Sequence, residues 1–183
     1  MTDEIMVALA GAETMTEVED IYRPYKQKRK TRASVAIEKG LTPLADLIIA
    51  QDYTGDLNQK ASEFISEEKG VEDSEQALKG ASDIIAERIS DDAELRKMLR
   101  KKMGEVGEIS CKLLENENSK TYDMYSDYTE KISKMPSHRI LAINRGEKEE
   151  CLKVNVVVET ELFTQVILKE YVKAENECAE VVK

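Results

Sequence analysis

VEDIYRPYKQKRKTRASVAIEKGLTPLADLI, residues Val18–Ile48, is punctuated for short helices from end to end. Pro24 closes a segment that opens upstream at Thr14-Met-Thr-Glu17. That is a capping-box pattern, in which a threonine and a glutamate three residues on satisfy each other's free backbone N–H groups. Thr31 stands as an N-cap ahead of Arg32–Lys39, and Gly40 supplies a left-handed stop. Thr42-Pro43 reads as the N-cap and first residue of the next helix, with Leu44, Leu47 and Ile48 as its buried stripe. Between Pro24 and Thr31 the composition changes. Six of the ten residues Arg23–Arg32 are Lys or Arg and none is acidic, on a chain of net charge −10. A cationic island on an acidic body marks a docking place for an anion. Lys26, Lys28, Arg29, Lys30 and Arg32 also precede a helix start, whose free N–H groups and positive dipole end favour phosphate. The alternative is that these cations pair with the acids of Glu13–Asp20 and stitch two helices together; both readings stay open at this level.

The same punctuation continues downstream. Asn58 reads as the cap of a helix through Ser66 that buries Ala61, Phe64 and Ile65. Asp73-Ser-Glu-Gln76 opens the longest helical pattern, with Ala77, Leu78, Ala81, Ile84, Ile85, Arg88 and Ile89 on one face. Asp91-Asp92 restarts a helix to about Met103, with Leu95, Met98 and Leu99 inward, until Gly104 and Gly107 break it. Glu108–Leu114 alternates as a short strand, and Asn116–Ser119 is a turn. Pro136 opens a helix through Ile140, Leu141 and Ile143 that Gly146 ends, and Thr160–Glu175 reads as a final helix. Leu152–Val158 is the one strong β-branched run and needs a partner, either Glu108–Leu114 or something outside the chain. The fold class is therefore mainly α, a multi-helix scaffold with a minor β element near 108–114 and 152–158. Residues 1–106 read as one helical segment and 107–183 as a helical and strand continuation packed on it, or both as one domain. With 41% hydrophobic residues, no Trp and two Phe in 183 residues, the core must be mainly aliphatic.

Several chemistries find little to stand on. Cys111, Cys151 and Cys178 are widely spaced with no CxxC pattern, which suits free thiols in a reducing cytoplasm. His138 is the one histidine, so neither a metal site nor a triad has its usual ligands, and no cofactor or enzyme activity is expected. The paired helices at Arg32–Lys39 and Pro43–Ala50 are spaced like a helix-turn-helix, but the second offers no Arg, Lys, Asn or Gln for base reading. Tyr122, Tyr125 and Tyr128, three residues apart among Asp123, Asp127 and Glu130, fit a packed face better than a base-stacking one. No apolar run approaches the length of a membrane span, and MTDEIMVALAGAETM lacks the basic lead of a signal peptide.

Four blocks in order resemble one known family. Glu19–Ala45 follows the pattern E-D-x-Y-x-P-Y-K-x-K-R-x-T-[RK]-A…A-x-E-K-G-L-x-P-L-A. Leu78–Glu87 (LKGASDIIAE), Tyr122–Tyr128 (YDMYSDY) and Ile132–Lys148 (ISKMPSHRILAINRGEK) follow. The chain is similar to the bacterial transcription accessory protein Tex family. The resemblance implies a cytoplasmic, non-enzymatic helical scaffold that assists RNA or DNA binding. It also implies neighbours in a full-length protein: an RNase-H-like domain, helix-hairpin-helix motifs and an S1-type RNA-binding barrel. On this reading the chain is a fragment, and a protein-interaction or packing module without nucleic-acid contact is the rival. The residues singled out for nucleic acid are Lys26, Lys28, Arg29, Lys30 and Arg32, joined by Arg139 and Arg145. Self-association through Leu152–Val158 is a further expectation, because an unpaired strand edge invites a second copy.

Overall fold

A computed structural model of the chain describes residues 3–26 and 30–183, with side chains described from Ile5 onward. Lys28 and Arg29 lie outside the described residues. The described residues form α1 (Asp3–Ala10), α2 (Met15–Tyr22), α3 (Arg32–Glu38), α4 (Thr42–Ala50), α5 (Leu57–Ser62), α6 (Ser74–Asp91) and α7 (Ala93–Val106). Then come β1 (Glu108–Leu113), β2 (Asp127–Lys131), α8 (Ser137–Lys148), β3 (Leu152–Val157), α9 (Thr160–Tyr171) and α10 (Glu177–Val182). The fold is mainly helical with one small sheet. Among the described residues no helix is long and apolar enough to cross a membrane.

The chain divides into two compact units. One takes the residues up to Lys97 together with Gln165–Lys183, and the other takes Met98–Thr164. The first is built around α6, which packs on α3, α4, α5 and α10. Its core joins Leu41, Leu44, Ile48, Leu57, Ile84 and Ile85 to Cys178 of α10. Small residues let these helices close up. A Cβ on Gly80 would lie 2.4 Å from Leu41 Cδ1 and 3.3 Å from the Ala36 Cβ. The helix starts are local. Thr14 accepts from the Glu17 N–H at 3.2 Å, Thr31 from Ser34 at 3.0 Å, and Asp73 from Gln76 at 2.7 Å. Gly40 stops α3 with φ +81°, as its sequence position implies.

Some boundaries differ from those expected. Thr42 is the first residue of α4 and not its cap; Leu41 holds the cap position with no side-chain bond, and Pro43 sits in the first turn. Asp56, not Asn58, caps α5, because it is the residue whose carboxylate meets the Gln59 N–H, at 3.0 Å. That helix stops at Ser62, leaving Ile65 exposed. Helix α7 runs through Gly104 to Val106, with Leu95 buried and Met98 exposed. The helix expected over Thr160–Glu175 stops at Tyr171, and a further helix that the sequence reading missed follows it, capped by Asn176, whose side chain accepts from the Ala179 N–H at 3.0 Å.

The second unit is a three-stranded antiparallel sheet in the order β2-β1-β3. Cys111 stands opposite Tyr128 on one side and Val154 on the other. The face holding Ile109, Cys111, Leu113, Tyr128, Leu152 and Val154 belongs to a core completed by Tyr122, Tyr125, Met135 and Ile143. Leu152–Val158 thus finds its partner inside the chain, and β1 is central. The sequence reading missed β2, whose five residues DYTEK carry one aromatic and three charges. The three-residue tyrosine spacing is that of a 3-10 helix over Ser119–Tyr125, with Tyr122 and Tyr125 buried. Tyr128 has already passed onto β2 and meets Tyr125 edge-on, ring centres 5.4 Å apart. Gly146 does not end α8. It lies inside the helix, where a Cβ would come 2.6 Å from Leu152 Cδ1, so its absent side chain is what lets α8 approach β3.

Candidate nucleic-acid interface

The basic island leaves α2 through a 3-10 turn at Arg23–Tyr25 and enters α3 at Arg32. Arg23 and Arg32, its two described arginines, meet carboxylates of α6. Arg23 Nε lies 3.0 Å from Asp91 Oδ1, and Arg32 Nε lies 3.4 Å from Asp83 Oδ1. The second contact is long, and the Arg32 side chain is 83% exposed, so solvent screens most of that attraction. The nearest acids upstream are engaged by α7. Asp20 is buried against Arg96 at 2.6 Å, and Glu17 pairs with Lys97 at 3.0 Å. The Glu13 N–H, then Lys97, hold the Glu17 carboxyl below its ordinary value. Among the described residues, these two pairs join α2 to α7.

Lys26 and Lys30 are exposed and make no ion pair among the described residues. Arg23, Lys26 and Arg32 line an open hollow of about 500 Å³ with Asp83, Glu87 and Asp91 across it. An anion arriving here meets three cations and three carboxylates, so the attraction of this open hollow rests on its exposed side chains, Lys26 among them.

Arg139 and Arg145 belong to the second unit. Arg139 is committed to its own sheet. Its Nη1 donates to Glu130 Oε2 at 2.6 Å and to the Tyr128 hydroxyl at 2.9 Å, and the guanidinium lies 5.7 Å from the Tyr128 ring centre. The Tyr128 hydroxyl donates to the same Glu130 carboxylate, and these two donors hold that carboxyl below its ordinary range. Arg139 is thus a structural cation, which its place beside His138 in the sequence did not reveal. Arg145 is exposed on α8, near the Tyr122 phenol, which donates to Glu149 Oε2 at 2.8 Å. His138 is exposed in the first turn of α8. All three thiols are free and buried, and burial pushes each pKa up, away from a reactive thiolate. Among the described residues no group of His, Cys, Asp and Glu is disposed to hold a metal ion.

Two cations that composition alone did not single out stand close to Arg32. Lys39 at the end of α3 and Lys79 on α6 line a second cleft with it. They are isolated in the sequence, and only the packing of α3 on α6 joins them.

The family model described as Tex central region-like matches residues 52–182. Among curated relatives, the chain is 45% identical to "Uncharacterized protein YdcI" of Bacillus subtilis over 159 residues, covering 85% of this chain and 22% of that protein. It is 36% identical to "Transcriptional accessory protein Tex" of Neisseria gonorrhoeae over 156 residues, 84% of this chain and 20% of that one. It is 26% identical to the human "S1 RNA-binding domain-containing protein 1" over 165 residues, 85% of this chain and 16% of that one. The chain spans about a fifth of the length of the curated relatives it matches.

Proposed function

The chain belongs to the Tex family, and from that premise we propose that it is a non-enzymatic scaffold module that helps a transcription accessory protein hold RNA or DNA. The observation that carries this reading is the set of exposed cations Lys26, Lys30 and Arg32 gathered at the entry to α3 on a chain of net charge −10. Such a set contributes sequence-independent attraction to phosphates, strongest at low salt. The RNA-binding name of the human relative supports the same direction. The neighbours assigned to the full-length protein are an RNase-H-like domain, helix-hairpin-helix motifs and an S1-type barrel, with this module as their helical support. An absence of catalysis fits a solitary exposed histidine and thiols held protonated by burial. Those free thiols also suit a reducing, cytoplasmic setting.

A second reading has one observation in its favour. Asp83 and Asp91 already meet Arg32 and Arg23, as they would in a packing or protein-interaction module with no nucleic-acid contact. Fluorescence anisotropy with labelled single- and double-stranded RNA and DNA across a salt series separates the two. Lys26→Glu with Lys30→Glu should weaken binding alike for all sequences and flatten the salt slope. An unchanged affinity and slope in the double variant, or no binding by the parent chain at low salt, supports the rival.

A further inference from the structure

We propose that the cleft between α3 and α6 grips the phosphates of a single nucleic-acid strand, with Arg32, Lys39 and Lys79 as its contacts. This rests on the reading that the chain holds nucleic acid, and it moves the grip from the Arg23–Lys26 hollow to the other side of Arg32.

The cleft measures about 360 Å³. Lys30, Arg32, Lys39 and Lys79 line it, and Asp83 is the one acid among its described lining residues. The neighbouring hollow sets three carboxylates against its cations, so the α3–α6 cleft is the more electropositive of the two. Its cations are also better placed. Lys39 Nζ donates to the Gly70 carbonyl oxygen at 2.6 Å, which fixes the ammonium at the end of α3 and leaves two N–H groups for a ligand. A fourth lysine stands near Gly40, with Lys69 Nζ 3.0 Å from the point where a Cβ on Gly40 would be.

Spacing decides the ligand class. Arg32 opens α3 and Lys39 follows its last residue, so the two lie seven residues apart, about 10 Å along the axis. Cations carried that far apart along one helix suit consecutive phosphates of one strand better than a single phosphate. The floor is apolar, made by Val35, Ala36 and Leu41, and no aromatic ring lines the cleft to stack a base. Gln76 is the one lining amide; with the cations on phosphates and no stacking platform, the grip is largely sequence-tolerant. The shared chemistry is a run of linked phosphates, for which a nucleic-acid strand and inorganic polyphosphate are the two sources.

The test is the affinity of the whole chain for a labelled single-stranded RNA and for inorganic polyphosphate, each across a salt series. Lys39→Gln with Lys79→Gln should weaken RNA binding about tenfold at low salt and make the salt slope shallower by about 1.4, two single-strand contacts at about 0.7 each. Asp83→Asn should tighten binding, a gain that misfolding does not produce. Competition by polyphosphate well below the RNA affinity assigns the site to the nucleic-acid strand. Polyphosphate binding as tight as RNA, lost in the same double variant, keeps the cleft but overturns the nucleic-acid assignment. Full RNA affinity in the Lys39/Lys79 variant, with loss in Lys26→Glu alone, overturns the cleft while leaving the proposed function standing. No RNA binding by the parent chain, with polyphosphate also unbound, overturns both.

Discussion

Gln51 shows how a single side chain closes a long loop in this fold. It follows α4 in the left-handed region, with φ 57°, and is 4% exposed. Its Nε2 donates to the Tyr171 carbonyl oxygen at 2.6 Å, and its Oε1 accepts from the Lys173 and Ala174 N–H groups at 2.8 and 3.2 Å. Its own carbonyl accepts from Asn176 Nδ2 at 2.7 Å. Beside it the Tyr171 hydroxyl donates to Asp92. Burial pushes the Asp92 carboxyl up, but the Tyr171 hydroxyl and the Leu95 and Glu94 amides outweigh it and hold the group below its ordinary value. A depressed carboxyl adds stability above its unfolded-state pKa, and that stability is lost as pH falls through the lower folded-state value. Tyr171→Phe should therefore cost about 1–2 kcal/mol near neutral pH, a hydrogen bond to a charged acceptor. The gap to the parent should narrow on acidification below about pH 4. Urea unfolding at both pH values checks this, and an equal gap in acid would disprove it. At the alkaline end, burial and then Asp92 hold the phenol above its ordinary value, so its contribution is whole below about pH 10 and is lost as pH rises further. None of this was legible in the sequence, where Gln51 and Asn176 are polar residues 125 positions apart.

At the scale of elements, the helix starts at Thr14, Thr31 and Asp73 are legible in the sequence, those at Thr42 and Asn58 are each displaced, and helix ends are less legible. A cap is a contact between neighbours in sequence: Thr14, Thr31 and Asp73 each bond an N–H three residues on. A glycine marks an end only when it adopts the left-handed conformation, and what its missing side chain faces depends on the rest of the fold. Gly40 does end a helix, whereas Gly80, Gly104 and Gly146 all lie within helices. Gly80 and Gly104 predict opposite outcomes. A methyl at Gly80 meets Leu41 and Ala36, 2.4 and 3.3 Å away. Gly80→Ala should destabilise by about 1–3 kcal/mol through overpacking. At Gly104 a Cβ meets nothing within 4 Å. Gly104→Ala should stabilise by about 0.5–1 kcal/mol, the helix-interior difference between the two residues. Thermal melts of the two variants should move in opposite directions; a stabilised Gly80→Ala would contradict the packing described there, and a destabilised Gly104→Ala the open space at that site. Strand β2 was missed because three of its five residues are charged, and its place at the sheet edge leaves alternate side chains in solvent.

For the molecule as a whole, the end of the chain belongs to the core near its beginning. Cys178 and Ala179 are fully buried, and Cys178 sits among Leu44, Ile48 and Ile84. The Leu57 N–H donates to Glu177 Oε2 at 2.8 Å, tying α10 to the start of α5. Removing residues 177–183 should uncover this core and leave the Leu57 N–H unpaired. The expected loss is at least about 2 kcal/mol, with a new apolar face that binds a hydrophobic dye. Parent-like stability and no dye binding after truncation would show α10 to be dispensable. The same closure places acids near cations that the sequence keeps far apart. Arg23 and Asp91 are 68 residues apart, and Arg96 and Asp20 are 76. The charge of the island was visible as composition; which carboxylates answer it was not.

By itself the sequence determined what neighbours in the chain can settle: the caps at Thr14, Thr31 and Asp73, the apolar faces of α4 and α6, the alternation of β1, the basic island, and the motifs that join the chain to the Tex family. These rest on interactions spanning a few residues. Only the tertiary structure decided that β3 pairs with β1, that α10 completes the first core, that Arg139 is held by Glu130 and Tyr128, and that Arg32, Lys39 and Lys79 share one cleft. Each of these depends on which distant surfaces meet. An isolated lysine or a polar five-residue strand carries no local signal of its eventual partner, because that partner is chosen by the packing of whole helices against one another.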